Sequence, residues 1–458
     1  MQRAAAKGPG IGNIIPRTGP YPLLPCLPSP LTAAAASAPA LPPPRRCGEW
    51  TLSTHLFAAA FPRSHPACLA ATGRPLPHRQ VVEDERAQRA LDFAEWDEAC
   101  SQWHVSEFVP PASQEAAGER AAQLAKGQTN SALWGVVQRW KRDVTPQDGV
   151  VVVCSHANGF HKEIFEPTLA ALAEVSTVPI AEMWSMDCCD SGFAGVLNAP
   201  RLGMASSWDD HARDINTLIR HLPQPGAEAP AFLQAPSSTA KSHRLVGVGH
   251  SFSGAGFLRA GTAYSDLLDG IVLVDAVIPA PEIAAKLLSP SQTEMARAAI
   301  ARKDVFASRE AATEYLKSKP YFQAWDPRIL ELHVQHNLVP LPSSPNGTEV
   351  TLAMSKFREA AAFANSWSGA IGRAAGRERK HATKIHTVVM TESNLGNAEQ
   401  REIQLREIAS WGAGHSAAEL KAGHLIAQEH PEMLAKHLAE VLQRWYGASS
   451  ASPREARM

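Results

Sequence analysis

Charge of one sign is the first thing this chain lacks. Its 458 residues carry 44 Lys and Arg against 45 Asp and Glu, a formal net charge of −1. No long-range field therefore draws it to nucleic-acid phosphates or to an acidic membrane surface, and no nucleic-acid partner is expected. Long apolar runs are absent too: nothing approaches the roughly 18 uninterrupted apolar residues of a spanning helix, so no transmembrane segment is expected. Cysteine is scarce and unpatterned. Cys26, Cys47, Cys68, Cys100, Cys154, Cys188 and Cys189 form an odd set without metal-ligand spacing, and the adjacent pair would close only a strained disulfide. That excludes a disulfide framework, predicts no metal and fits a reducing compartment. Acid is nearly missing from the first 80 residues, where Glu49 stands alone among Pro, Ala and Arg, with runs such as Ala34-Ala35-Ala36 and Pro42-Pro43-Pro44. Residues 1–85 are accordingly predicted to be a disordered leader. An acid-poor, Arg-bearing leader also fits a mitochondrial transit peptide, although sparse arginine and frequent proline oppose the amphipathic helix that address needs.

From about Arg89 the texture becomes globular. Gly149–Cys154, Pro179–Met186, Arg244–Gly249, Gly270–Val274 and Ile385–Met390 are short apolar runs suited to buried parallel strands. Helix-compatible segments lie between and after them, including Trp208–Leu222, Gly254–Tyr264 and Pro431–Trp445. The alternation predicts an α/β fold with a mostly parallel, doubly wound sheet. Residues 86–278 and 385–447 form its core, and 448–458 a flexible tail. The long, mostly helical stretch 279–384 falls before the penultimate strand and is read as a cap over the carboxyl edge of the sheet, where substrates bind.

One strand ends in Gly249-His250-Ser251-Phe252-Ser253-Gly254 and runs straight into a helix. A serine on such a turn sits in strained backbone, so its neighbours two before and two after must be small, as Gly249 and Ser253 are. The turn aims the Ser251 hydroxyl above the sheet edge and the Phe252 amide toward any oxyanion formed there. No cofactor is needed for that chemistry, but a serine hydroxyl needs a histidine base oriented by a carboxylate. His424, late in the chain, preceded by Gly423 and followed by a helix from Pro431, is the expected base. The loop after the first central strand reads His156-Ala157-Asn158-Gly159-Phe160-His161-Lys162-Glu163. Its Phe160 amide is the expected second oxyanion donor, with His156 organising the loop. Chain position leaves two acids open, Asp275 after the strand before the cap and Glu392 after the penultimate strand.

Four segments together carry a resemblance: His156–Pro167, Ser207-Trp208-Asp209-Asp210-His211-Ala212-Arg213-Asp214, Gly249–Gly254, and the run from Ser308 through Trp325-Asp326-Pro327-Arg328. Over about residues 90–447 the chain resembles the fungal peroxisomal α/β-hydrolase family, which includes the acyl-CoA hydrolase of mycophenolic acid biosynthesis, hydrolases of Alternaria host-selective toxins and a yeast peroxisomal lipase. The resemblance implies an α/β-hydrolase fold and Asp275, rather than Glu392, as the acid. It also implies an acyl thioester or ester, such as an acyl-CoA, as the small-molecule substrate; a lipase or carboxylesterase with the same residues, and a non-catalytic binding protein of the same fold, are the alternatives. The chain as given ends Ala456-Arg457-Met458, a small-basic-aliphatic variant of the peroxisomal address, so the peroxisomal import receptor is an expected partner, with cytoplasm or mitochondrion as alternative locations. In the cap, Phe306, Tyr315, Tyr321, Phe322 and Trp325 are candidates for an acyl pocket. The basic cluster Arg373, Arg377, Arg379, Lys380 and Lys384 reads as a solvated face, with contact to coenzyme A phosphates as the alternative.

Overall fold

The computed structural model describes residues 22–31, 39–103, 105–146, 148–235, 243–264, 267–280, 284, 293–344, 346–378, 383–412 and 414–447. The tripeptide Ala456-Arg457-Met458, Arg379, Lys380 and residues 1–21 lie outside them. Nine strands form one sheet: β1 (Arg45–Cys47), β2 (Trp50–Ala58), β3 (Trp134–Arg142), β4 (Val150–Ser155), β5 (Ile180–Met186), β6 (Arg244–His250), β7 (Gly270–Val274) and, counting past three short strands of the insertion, β11 (Lys384–Met390) and β12 (Ser416–Leu420). Their order is β1-β2-β3-β5-β4-β6-β7-β11-β12. From β5 to β12 every pairing is parallel, while β1, β2 and β3 run antiparallel.

The centre of the sheet is where hydrophobicity dictates the structure most directly. Every residue of β4, Val-Val-Val-Val-Cys-Ser, is buried, as expected of a parallel strand covered on both faces. One layer includes helices Glu166–Val175 and Pro431–Tyr446, the other Trp208–His221 and Phe252–Ala263; their apolar faces fill two large cores on opposite sides of the sheet.

The leader departs from expectation. Trp50–Ala58 pairs along its whole length with β3, and Leu52, Leu56 and Phe57 are fully buried. Averaged over 80 residues, the Pro/Ala composition hides this run of Trp, Thr, Leu, His and Phe, residue types that suit a pleated, half-buried surface. The segment after β2 is fastened as well: Ala60 N–H donates to Asp214 Oδ1 at 2.8 Å, and Ser64 N–H to Asp210 Oδ1 at 2.9 Å. Strand β3 was illegible for another reason. Its buried Gln138 and Arg139 break the apolar pattern and find carboxylate partners on distant segments, Gln138 donating to Glu166 at 2.9 Å and Arg139 to Glu182 at 3.1 Å.

Between β7 and β11 lies the insertion. It is helical over Glu294–Ala301, Arg309–Lys317, Pro320–Gln323, Pro327–Asn337 and Lys356–Ala364, but also holds an antiparallel sheet of β8 (Val305–Phe306), β10 (Val350–Leu352) and β9 (Leu338–Pro340). Its last helix, Gly369–Glu378, packs on helix Phe252–Ala263, where a Cβ at Gly372 would stand 3.3 Å from the Arg259 side chain. That helix therefore belongs to the layer covering the sheet, and not, as its position in 279–384 implied, to the roof. Among the described residues no helix is long and apolar enough to cross a membrane, and all seven cysteines are free thiols.

Candidate active site

Ser251 follows β6 directly and caps the helix Phe252–Ala263 with φ 60° and ψ −123°. This is left-handed backbone that a non-glycine residue adopts only under constraint. The constraint is visible: Ser251 N–H donates to Val274 O at 2.9 Å, and Ser251 O accepts from Val277 N–H at 3.2 Å, tying the turn to the end of β7 on both sides. A Cβ on Gly249 would fall 2.5 Å from Ser253 O, so only glycine lets the strand pass the start of the helix. Gly254 is similarly crowded by Ala276.

Asp275, at the carboxyl end of β7, is the other non-glycine residue in the left-handed region among those described, with φ 41°. Its carboxylate faces His424: His424 Nδ1–H donates to Asp275 Oδ2 at 2.7 Å, and Ser251 Oγ–H donates to His424 Nε2 at 3.0 Å. Burial works to raise the Asp275 carboxyl. Hydrogen bonds from His424, Ser393 Oγ at 2.6 Å and Met390 N–H at 3.1 Å outweigh it and hold the carboxyl below its ordinary range. Glu392 is not brought to His424. Its side chain is 55% exposed and lies 4.0 Å from Lys421. The residue after it, Ser393, turns inward to serve Asp275, a role that its polar-turn setting does not reveal.

His424 sits in the loop between β12 and the final helix. His250 reaches it from the elbow, donating Nε2–H to His424 O at 2.7 Å. Burial, reinforced by the neighbouring His424, pushes His250 down to about 3, so it stays a neutral donor.

The loop after β4 is anchored from three directions. His156 Nδ1–H donates to Ala157 O at 2.8 Å while its Nε2 accepts from Cys188 N–H at 3.2 Å, so this ring braces the loop. Asn158 Nδ2 donates to Glu359 O of the insertion at 3.0 Å. Gly159 has φ 88°, and a Cβ there would meet the Glu359 carboxylate at 2.9 Å. Lys162 is buried with Glu163 and with Asp187. Phe160 N–H makes only a long 3.4 Å bond to Ala157 O, and its ring packs edge-on against Trp325 at 5.5 Å. Phe252 packs against Trp208 and His211 on the far side of the elbow.

The aromatic residues of the insertion divide. Phe306 and Tyr315 fill its own small core, whereas Tyr321, Phe322 and Trp325 form one cluster that reaches Phe160. Of the basic cluster's described members, Arg373 is buried against Glu407 and Ile278 O, Arg377 also pairs with Glu407, and Lys384 donates to Trp445 O. Arg373 thus serves a buried structural partner, whereas the Arg377 side chain is half exposed, the solvated face expected of it.

The chain is similar to known proteins. Type I acyl-CoA thioesterases of Penicillium brevicompactum are 28% identical over 205 residues, 43% of this chain and 42% of theirs. The chain thus spans less than half the length of those relatives. An abhydrolase domain-containing protein of Alternaria alternata is 23% identical over 230 residues, 44% of this chain and 82% of its own. Among solved structures the peroxisomal alpha-beta-hydrolase of Saccharomyces cerevisiae superposes with a TM-score of 0.61 at 13% identity, covering 89% of this chain and 92% of that one, a likeness of fold. The sequence model of the alpha/beta hydrolase family matches residues 150–437, from the first residue of β4 into the final helix, and the chain belongs to that family of hydrolases.

Proposed function

We propose that this hydrolase cleaves acyl thioesters, of which acyl-CoA is the leading class, through Ser251, His424 and Asp275. The observation that carries the reading is the continuous line from Ser251 Oγ through His424 to Asp275, at 3.0 and 2.7 Å, with both ends held in left-handed backbone. In the reaction His424 Nε2 takes the hydroxyl proton as Ser251 Oγ attacks the acyl carbonyl, and Asp275 stabilises the imidazolium that results. The Phe252 and Phe160 amides hold the developing oxyanion, each such donor being worth about 10²–10³ in rate. His424 then returns the proton to the leaving sulfur, and water repeats the sequence on the acyl-enzyme. The weak Phe160–Ala157 bond leaves that amide free to turn to the stronger acceptor.

The thioester is favoured by the Penicillium relatives named as acyl-CoA thioesterases. The same residues open oxygen esters, so the test compares the two leaving atoms directly. Free thiol released from a panel of acyl-CoA esters is measured beside hydrolysis of oxygen esters of the same acids. Thiol release with slower ester cleavage is expected; brisk ester cleavage without thiol release would make the protein a carboxylesterase.

A further inference from the structure

The segment Trp208–Asp214 contributes no group to the proposed chemistry, yet it sends Trp208 and His211 to the back of the elbow, and His211 alone of the two hydrogen-bonds there to Ser253. We infer that His211, acting through Ser253, is a positioning residue that locks the two halves of the oxyanion site together. Ser253 Oγ–H donates to His156 O at 2.6 Å, joining the first turn of the elbow helix to the loop that carries Phe160. His211 Nε2 lies 3.0 Å from Ser253 Oγ and 3.2 Å from Ser155 Oγ, at the end of β4 where that loop begins. Ser253 Oγ also lies 3.1 Å from Ser155 Oγ, but its shortest contact is His156 O; with its proton there, Ser253 Oγ accepts from His211 Nε2–H. The His211 ring also packs on Phe252 with centroids 5.0 Å apart, and Cδ2 would lie 2.8 Å from a Cβ on Gly256, so it cannot drift. One imidazole thus touches the residue bearing each proposed oxyanion amide, Phe252 directly and Phe160 through Ser253 and His156.

Ser155, His211 and Ser253 are all buried, and burial pushes His211 down to about 3, so the neutral donor persists throughout the working range of a histidine base. The arrangement also accounts for serine at the second small position of the elbow, where glycine or alanine would meet the steric demand: only a hydroxyl can make the tie.

The inference rests on the hydrolase reading, and the experiment separates the two. Steady-state hydrolysis of a short acyl-CoA, or of a p-nitrophenyl ester if that is the better substrate, is measured for the wild type, Ser253→Ala, His211→Phe, the double variant and His211→Gln, whose amide restores a donor. Misplacing an oxyanion donor should lower kcat by about 10- to 100-fold in Ser253→Ala, with KM changed by less than about twofold. The double variant should be little worse than either single one, and His211→Gln should recover most of the loss. The acid limb of kcat/KM should not move. If His211→Phe fails to fold, Ser253→Ala, which deletes one oxygen at a site built for a small residue, decides alone. An active wild type with unchanged kcat in Ser253→Ala would overturn the tie and leave the hydrolase reading standing, as would losses that multiply in the double variant. An inactive wild type would overturn the hydrolase reading, and the tie with it.

Discussion

Two histidine–carboxylate bonds of similar length lie on either side of the loop after β4. His424 meets Asp275 at 2.7 Å beyond the elbow; His161 meets Glu163 at 3.0 Å beneath the insertion. The second is the more elaborate. Lys162 donates to both Glu163 and Asp187, and His333 and His336 of helix Pro327–Asn337 gather around His161 with ring centroids 5.5 and 5.8 Å away. Yet it ends in packing: no hydroxyl stands at the far nitrogen of His161, and neither His161 nor Glu163 has left-handed backbone. At the elbow the histidine passes on to a serine, and the backbone of both serine and acid is strained. The difference teaches that an imidazole–carboxylate pair is a structural brace by default. It becomes a reaction centre when a nucleophile closes the line and the fold sustains strain to keep it there.

The comparison breaks most sharply at the serine. Ser251→Ala should cut turnover by about 10⁶-fold and leave the thermal midpoint in place, because the strained turn is held by its neighbours. Asp275→Asn should lower kcat by about 10⁴-fold, the imidazolium losing its partner and the histidine its tautomer. Since the Asp275 carboxyl is held below its ordinary range, its contribution to stability is present above about pH 4 and is lost as pH falls through the folded value. The Asn variant should lack that acid-side decline in a pH series of urea midpoints.

At the brace the currency changes from rate to stability. Lys162→Met strands Glu163 and Asp187 in the interior and should cost about 3–5 kcal/mol in urea unfolding. Burial works against both ions, but the Glu163 and Asp187 charges raise the Lys162 ammonium above its usual value, and Lys162 with His161 holds Glu163 well below the carboxylate range. The lysine contribution is therefore full below about pH 10.4 and lost as pH rises through its folded value. The Glu163 contribution is full above about pH 4.3 and lost as pH falls. Smallest of all, Glu392→Gln should change kcat/KM by less than about twofold, its side chain lying exposed beside Lys421.

The elbow was legible because its chemistry is local: Gly249, Ser251 and the helix behind them are contiguous, and sterics alone fix what may stand beside the serine. That His424 meets Ser251 was legible from order along the chain. The central strands were legible because burial on both faces demands unbroken apolar runs. What escaped depends on contacts between distant segments. Chain position alone could not separate Asp275 from Glu392, only the resemblance favoured Asp275, and the partner of Asp275, Ser393, lies next to the exposed Glu392. Strand β2 was lost in the composition of its surroundings, and β3 in the ion pairs and amide bonds that make its polar residues buriable. His211 stood in a quoted motif, but nothing local shows that a helix residue reaches the back of an elbow some 40 positions later, a separation the Ser253 contact spans as 42 residues.

The account stands on Ser251 being an activated nucleophile. A fluorophosphonate probe, which reacts with serine hydroxyls only where a base and an oxyanion site assist, tests this on the native protein, with the labelled peptide located by mass spectrometry. Stoichiometric labelling at Ser251, abolished by His424→Ala and by prior heat denaturation, is the predicted result. Labelling of the native protein at another residue, or none at all, would contradict it.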